Sequence, residues 1–121
     1  MKKKNRHSVL RRLKEFRFHK VKDKSKKKWL KRHPTYIFLQ QGNVYFYVAL
    51  THASTIDGYL LIKLRENPNP SDSRESYYIA EIKYDTKDNF SANKADWKIN
   101  ELDDVEIRKL FTKKDDSADR E

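Results

Sequence analysis

Four side chains of the types used in phosphoryl-transfer chemistry lie in two adjacent pairs, Arg32 with His33 and Thr51 with His52. RNA carries an internal nucleophile that DNA lacks, the 2′-hydroxyl. Its cleavage requires removal of that proton, stabilisation of charge on the phosphoryl oxygens and protonation of the leaving 5′-oxygen. A cation, a hydroxyl and an imidazole that titrates near pH ~6.5 meet these needs without a metal ion. The two pairs are therefore candidate catalytic residues.

A predicted β-hairpin brings the two pairs together. Thr35–Gln40 and Val44–Thr51 read as strands, and residues 41–43 (Gln-Gly-Asn) supply the positive φ angles of a tight turn. The near-continuous apolar run of the second strand predicts burial on both faces. With the turn at residues 41 and 42, Arg32 lies opposite Thr51, with Cβ atoms about 5 Å apart. A phosphate group could then be bound from both strands.

Two more strands are predicted downstream, at Tyr59–Leu64 and Tyr77–Tyr84. Residues 56–58 (Ile-Asp-Gly) read as a turn, and residues 66–75 as an exposed loop on composition alone. These elements predict a curved antiparallel sheet, which a small barrel would close.

A C-terminal helix is predicted to pack on this sheet. Asp103 is the predicted N-cap, Glu106 completes a capping box, and Leu102 with Ile107 fits a hydrophobic staple. The predicted apolar stripe of the helix consists of Leu102, Val105, Leu110 and Phe111. We therefore expect an α+β protein, mainly β, with a small antiparallel barrel, a C-terminal helix and a basic N-terminal extension.

Basic residues are concentrated at the N-terminus. Residues 1–33 hold 16 of the 28 Lys and Arg against two acidic residues, a net charge of +14, whereas the rest of the chain has −4. A basic segment beside a mildly acidic body is typical of proteins that bind polyanions, with an affinity that falls steeply with salt. We therefore expect nucleic acid, and RNA in particular, as the partner.

Three segments are predicted: a basic, partly helical arm at 1–30, a β-barrel domain with the helix at 31–112, and a disordered tail at 113–121. Alternation around Phe16 and Phe18 also suits a strand, so we predict a helix followed by an extended piece. The helical spacing is carried by Val9, Leu10, Leu13 and Phe16.

Further basic and aromatic side chains are candidates for nucleic-acid binding. Trp29 lies in the basic stretch, where little core is expected, so it could stack on an exposed base. Trp97 is instead interpreted as a core anchor. The candidate nucleic-acid-binding residues are Lys26, Lys27, Lys28, Trp29, Lys31, Arg65 and Lys83.

The composition excludes several kinds of site. The chain has no cysteine, which excludes disulfides, thiolate metal sites and cysteine nucleophiles, and its two glycines cannot form a glycine-rich phosphate loop. Val44–Leu50, the longest apolar stretch, is too short to span a bilayer, and no apolar run marks a signal peptide. We expect a cytoplasmic protein with no cofactor, no metal ion and no membrane partner.

From about residue 16 to residue 111 the order of these features resembles the MazF/PemK family of toxin endoribonucleases. The resemblance is carried by residues 32–39 (RHPTYIFL), 48–54 (VALTHAS), 76–82 (SYYIAEI) and 102–110 (LDDVEIRKL). The family has an arginine directly before the proline, where this chain has His33. The resemblance implies an SH3-like barrel, metal-independent RNA cleavage, a homodimer and an antitoxin partner. It also implies that Arg32 stabilises the transition state and that Thr51 binds or orients the phosphate.

Two other functions remain open on the sequence. The chain could be a non-catalytic RNA- or DNA-binding module in which the basic arm binds and the sheet is a scaffold. It could also be an interaction protein whose basic arm docks on an acidic partner.

Overall fold

An antiparallel sheet and one long helix dominate the computed structural model, which describes the backbone of residues 9–20, 22–23, 28–29 and 33–120 and the side chains of residues 9–20 and 33–111. The strands are β1 (Arg11–His19), β2 (Lys22–Asp23), β3 (Lys28–Trp29), β4 (His33–Gln41), β5 (Val44–Thr51), β6 (Leu61–Lys63), β7 (Tyr77–Ile79) and β8 (Lys83–Thr86), and the helix α1 is Glu101–Arg120. The main sheet has the order β1-β4-β5-β7-β6, β8 also pairs with β5, and β2 pairs with β3. The predicted class, α+β and mainly β with a C-terminal helix, is confirmed.

The hairpin β4–β5 forms the centre of the sheet. Its turn lies at residues 42 and 43, because Gln41 pairs with Val44, and Gly42 has the positive φ of 58° that the turn requires. Alternate residues of β5 are buried on opposite faces, Tyr47 on one and Val48 on the other. The predicted hairpin and the burial of both faces of its second strand are confirmed.

The helix predicted within the N-terminal arm is wrong, because Arg11–His19 is the edge strand β1. This strand pairs along the whole of β4, from Arg11 opposite Gln40 to His19 opposite His33. Leu13 and Phe16 are three positions apart and therefore lie on opposite faces of the sheet, and because both faces are covered, this spacing mimics a helical stripe.

Strand β5 changes its partner along its length. Its first half pairs with β8 and its last two residues pair with β7. The single strand predicted at Tyr77–Tyr84 is therefore two strands, interrupted where the N–H of Glu81 donates to the carbonyl oxygen of Ile79 over 2.7 Å. The sheet is antiparallel as expected, but it is not closed by a continuous ladder.

The edge of β1 that faces away from β4 is covered by the segment 89–95. Three backbone hydrogen bonds of 2.8 Å join the two, from Lys20 N to Asn89 O, from Ser91 N to Phe18 O and from Ala95 N to Phe16 O. The guanidinium of Arg17 reinforces this seam by donating to the Ser91 carbonyl over 3.0 Å.

Two hydrophobic clusters lie on opposite faces of the sheet. The larger contains Phe16, Tyr36, Phe38, Leu39, Val48, Leu50, Leu64, Tyr78, Ile99 and Ile107, and the smaller contains Leu13, Ile37, Tyr45, Tyr47 and Phe90. The helix covers the first cluster through Ile107, and Phe90 covers the second.

The helix starts earlier than predicted and ends later. Asn100 is the cap, since its Oδ1 accepts from the N–H of Leu102 over 2.9 Å, whereas the predicted cap Asp103 is buried. Leu102 and Val105, placed in the predicted apolar stripe, are exposed. The helix continues past residue 112 to Arg120, since no glycine or proline interrupts it. Among the described residues no helix is long and apolar enough to cross a membrane.

A buried polar network ties the helix to β1 and β4. The Tyr36 hydroxyl donates to Oδ1 of Asp104 over 2.5 Å, and Nε of Arg108 donates to Oδ2 over 3.0 Å. Arg108 also donates to the carbonyl oxygens of Leu13 and Phe38, over 2.6 and 2.7 Å. Burial, followed by the hydrogen bond to Asp104, raises the pKa of Tyr36 well above its ordinary value, so this tyrosine stays a neutral donor.

Candidate functional site

A cavity of about 450 Å³ opens where β4 begins and β5 ends. Sites for small molecules commonly have volumes of about 300–1,000 Å³. The cavity is lined by Phe18, His33, Pro34, Leu50, Thr51, His52, Asn67, Asn69, Asp72, Arg74, Ser76 and Trp97. Three of the four predicted catalytic residues, His33, Thr51 and His52, therefore share one cavity.

The strand register at this cavity differs from the predicted register by one residue. Thr35 is opposite Ala49, so counting two residues further along both strands places His33, not Arg32, opposite Thr51. The turn at residues 42 and 43 alone would shift the pairing by two residues, and the one extra residue of β4 at Phe38 takes back one of them. Arg32 itself lies outside the described residues.

His33 and Thr51 present polar groups that the fold leaves available. The imidazole of His33 is exposed and makes no hydrogen bond within the part of the chain that the structure describes. The Thr51 hydroxyl oxygen accepts from the N–H of Ala53 over 3.1 Å. Its own O–H remains able to donate to a ligand, because a hydroxyl carries a donor beside its acceptor lone pairs.

His52 is held by acceptors at both ring nitrogens. Its Nδ1 lies 3.0 Å from the carbonyl oxygen of Glu75, and its Nε2 lies 3.2 Å from Oδ2 of Asp72. The side chain is 40% exposed.

Asp72 also binds Arg74, which lines the same cavity. The guanidinium donates through Nε to Oδ1 over 3.0 Å and through Nη2 to Oδ2 over 2.8 Å, and the N–H of Arg74 donates to Oδ1 over 3.0 Å. These hydrogen bonds, with a smaller contribution from the charge of His52, hold the pKa of Asp72 well below its ordinary value. Nη1 of Arg74 has no partner among the described residues, and the side chain is 68% exposed.

The loop from residue 66 to residue 76 is fixed by its own asparagines. Oδ1 of Asn67 accepts from the N–H of Asn69 over 2.9 Å, and Oδ1 of Asn69 accepts from the N–H of Ser71 over 3.0 Å. The N–H of Lys98 donates to the Pro68 carbonyl over 3.2 Å, which attaches the loop to the segment carrying Trp97. The segment predicted only as an exposed loop is thus one wall of the cavity.

The interior of the cavity is apolar and aromatic. Phe18 and Trp97 make an edge-on contact with ring centroids 5.7 Å apart, and Pro34 and Leu50 line the same space. Trp97 also contacts Phe16, with ring centroids 5.6 Å apart. It therefore packs on the core as predicted, but it also lines the cavity, which was not predicted.

The predicted nucleic-acid-binding residues lie away from this cavity or outside the described part. Arg65 is engaged with the helix, since Nη1 donates to Asp103 over 2.7 Å and Nη2 to Glu106 over 2.8 Å. Lys83 pairs with Tyr47 at the start of β8 and does not line the cavity. Lys26, Lys27 and Lys31 lie outside the described residues, and only the backbone is described for Lys28 and Trp29.

Asp72 and Arg74 are the site residues that the sequence analysis missed. The signal was present, because Asn67, Asn69 and Asp72 are each followed two residues later by a residue whose backbone N–H can close a turn on the side-chain oxygen. Within the described part of the chain, no group of three or more His, Asp and Glu side chains is placed to hold a metal ion.

No family model, curated protein or solved structure matches this chain. The likeness to the MazF/PemK endoribonucleases therefore rests on the sequence features described above. The geometry of the cavity is the basis for the function proposed below.

Proposed function

We propose that this protein binds single-stranded RNA and cleaves it without a metal ion at the mouth of the cavity. The observation that carries the proposal is the convergence of His33, Thr51 and the His52–Asp72–Arg74 cluster on one space. Together these groups supply imidazoles, a hydroxyl donor and a guanidinium. Cleavage by the 2′-hydroxyl needs these kinds of group and no cofactor.

Each side chain has a distinct role in the proposed reaction. His33, whose ring is unpartnered in the described part, takes the proton from the 2′-hydroxyl. The 2′-oxygen bonds to phosphorus, the bond from phosphorus to the 5′-oxygen breaks, and His52 gives the leaving oxygen its Nε2 proton. Thr51 and Nη1 of Arg74 donate to the phosphoryl oxygens as their charge grows. The products are a 2′,3′-cyclic phosphate and a 5′-hydroxyl.

The N-terminal basic segment supplies the affinity in this proposal. Residues 1–33 carry +14, and the last of them, His33, lines the cavity. Arg32 is adjacent to His33 in the chain and remains the proposed second cation for the phosphate. Lys26, Lys27, Lys28, Trp29 and Lys31 are proposed to contact RNA next to the cleaved bond.

An SH3-like barrel of the MazF/PemK kind is the proposed finer description of the fold. The hydrogen bonds between the outer edge of β1 and the segment 89–95 support it. That segment directly follows β8, so these bonds link the two ends of the strand path β1-β4-β5-β8. The resemblance also leads us to propose a toxin–antitoxin setting, with a homodimer, an antitoxin partner and a cytoplasmic location.

A second candidate function is a non-catalytic RNA- or DNA-binding module. The observation that favours it is the engagement of both ring nitrogens of His52, by Asp72 and by the Glu75 carbonyl. In this alternative the cavity binds a nucleotide and the basic segment binds the backbone, but no bond is broken.

Incubation of the full-length protein with long single-stranded RNA in EDTA tests the proposal. Wild-type protein should give discrete fragments, and Thr51→Ala together with Arg32→Ala should give none. Thr51→Ser retains the hydroxyl and is the matched control. Its cleavage rate should stay within about tenfold of wild type, whereas loss of one such donor slows the reaction by a factor of about 10²–10³. Intact RNA that is retarded in a gel by all the variants would favour the binding module.

A further inference from the structure

We propose that the interior of the cavity binds the base of one unstacked nucleotide, with Trp97 and Phe18 as its aromatic walls and Asn69 as a donor to its edge. This inference rests on the proposed function and names what the same cavity takes from the RNA. It assigns a role to side chains on three separate segments of the chain.

The aromatic walls are positioned before any ligand binds. Trp97 is half-buried and is held against Phe16 and Phe18, with ring centroids 5.6 and 5.7 Å away. A side chain fixed in this way loses little conformational freedom when a base packs on it. Aromatic side chains accept any base, because every base has a π-face.

Asn69 offers the polar contact that the apolar walls lack. Its Oδ1 is occupied by the N–H of Ser71, whereas its Nδ2 has no partner within the described residues. The amide of Asn67 cannot take this role, because its Oδ1 accepts from Asn69 N–H and its Nδ2 donates to the Arg74 carbonyl over 3.0 Å. Asn69 is therefore the side-chain amide available for a carbonyl or ring nitrogen of a base.

The cavity combines this interior with a polar mouth. The apolar walls and the phosphate-binding candidates Thr51 and Arg74 line one continuous volume of about 450 Å³. A nucleotide has the same division, with a flat aromatic base at one end and an anionic phosphate at the other. A base held in the interior leaves its ribose and phosphate at the mouth, where His33 lies.

Tryptophan fluorescence can report on this site directly. The chain has two tryptophans, so Trp29→Phe makes Trp97 the sole reporter. This full-length variant is titrated in EDTA with UMP, AMP, ribose 5-phosphate and inorganic phosphate. We expect saturable quenching by at least one nucleotide, with ribose 5-phosphate at least about fivefold weaker, the lower end of what base stacking contributes. Ribose 5-phosphate binding as tightly as both nucleotides, or no nucleotide binding, would overturn the inference.

Asn69→Ala in the same background tests the edge contact without removing an aromatic wall. It should weaken nucleotide binding at least threefold and leave binding of ribose 5-phosphate unchanged, about the effect of one net hydrogen bond. Tyr84→Ala removes an exposed aromatic side chain that does not line the cavity and should change neither titration. Equal binding by the Asn69→Ala variant and its parent would refute the role of Asn69.

The titrations and the cleavage assay can fail independently. RNA cleavage without base-dependent nucleotide binding would refute this inference and leave the proposed function standing. Base-dependent nucleotide binding with intact RNA would support the inference and refute cleavage.

Discussion

Nε2 of His52 and Oδ2 of Asp72 lie 3.2 Å apart, and the same carboxylate binds the guanidinium of Arg74. One carboxylate, itself only 15% exposed, thus contacts both an imidazole and a guanidinium at the mouth of the cavity. The hydrogen bonds from Arg74 lower the pKa of Asp72, so this carboxyl stays ionised at pH values well below its ordinary pKa. Asp72 is therefore a positioning residue for both groups proposed to act on the phosphate.

Asp72→Asn should reduce cleavage without reducing RNA binding to the same extent. The amide keeps the shape but loses the charge that orients His52 and Arg74, and misplacement of catalytic groups costs up to about 100-fold in rate. The measurement is single-turnover cleavage beside RNA affinity. Asp57→Asn, which changes an exposed residue on a turn that does not line the cavity, is the control. Equal loss of affinity and rate would show that Asp72 acts on binding.

Tyr36→Phe should lower the free energy of unfolding by about 1–3 kcal/mol, because Oδ1 of the buried Asp104 loses its donor. Tyr84→Phe removes the hydroxyl of a 71% exposed tyrosine and should change stability by less than about 0.5 kcal/mol. Urea denaturation of both variants measures the difference. A Tyr36→Phe protein as stable as wild type would show that the hydroxyl contributes nothing.

The pairing of Asp85 with His19 predicts acid sensitivity. Burial alone would raise the pKa of Asp85, but hydrogen bonds from His19, Asn89 and the N–H of Thr86 outweigh it and lower the pKa. A carboxyl with a lowered folded-state pKa stabilises the fold above its unfolded value of about 3.9, and this contribution is lost as the pH falls further. Wild type should therefore exceed Asp85→Asn in stability at pH 6, and the difference should shrink towards pH 3. A difference that stays constant across this range would contradict the prediction.

Replacement of Lys26, Lys27 and Lys28 by glutamine should weaken RNA binding and flatten its salt dependence. Each lysine that neutralises a phosphate of a single strand contributes about 0.7 to the slope of log affinity against log salt, so the slope should fall by up to about 2. The control replaces Lys87, Lys94 and Lys109, which are exposed elsewhere on the fold. An equal effect of the two triple variants would show that binding follows net charge alone.

The sequence predicted the elements whose patterns are local. The β4–β5 hairpin has an apolar core pattern and a Gly-Asn turn, and both appear in the structure. The strand β1 was mistaken for a helix because both of its faces are covered, so its buried residues Leu13 and Phe16 are three positions apart. Burial on both faces depends on packing against distant segments, which local spacing does not encode.

The candidate site was predicted only in part, because some of its residues are brought together by long-range packing. His33, Thr51 and His52 share one cavity, as the hairpin argument requires. Asp72 and Arg74 lie 20 and 22 residues after His52 in the chain, and only the folded loop brings them to it. Asp103, predicted as a cap, instead accepts hydrogen bonds from Arg65. The two residues are 38 positions apart in the sequence, so no local motif predicts this contact.

Identification of the fragment ends tests the central claim most directly. RNA is incubated with wild-type protein in EDTA, and the termini of the products are determined by mass spectrometry. Attack by the 2′-hydroxyl predicts 2′,3′-cyclic phosphate and 5′-hydroxyl ends, and no cleavage where a 2′-deoxy nucleotide precedes the bond. Fragments with 5′-phosphate ends, or RNA that stays intact, would contradict the account.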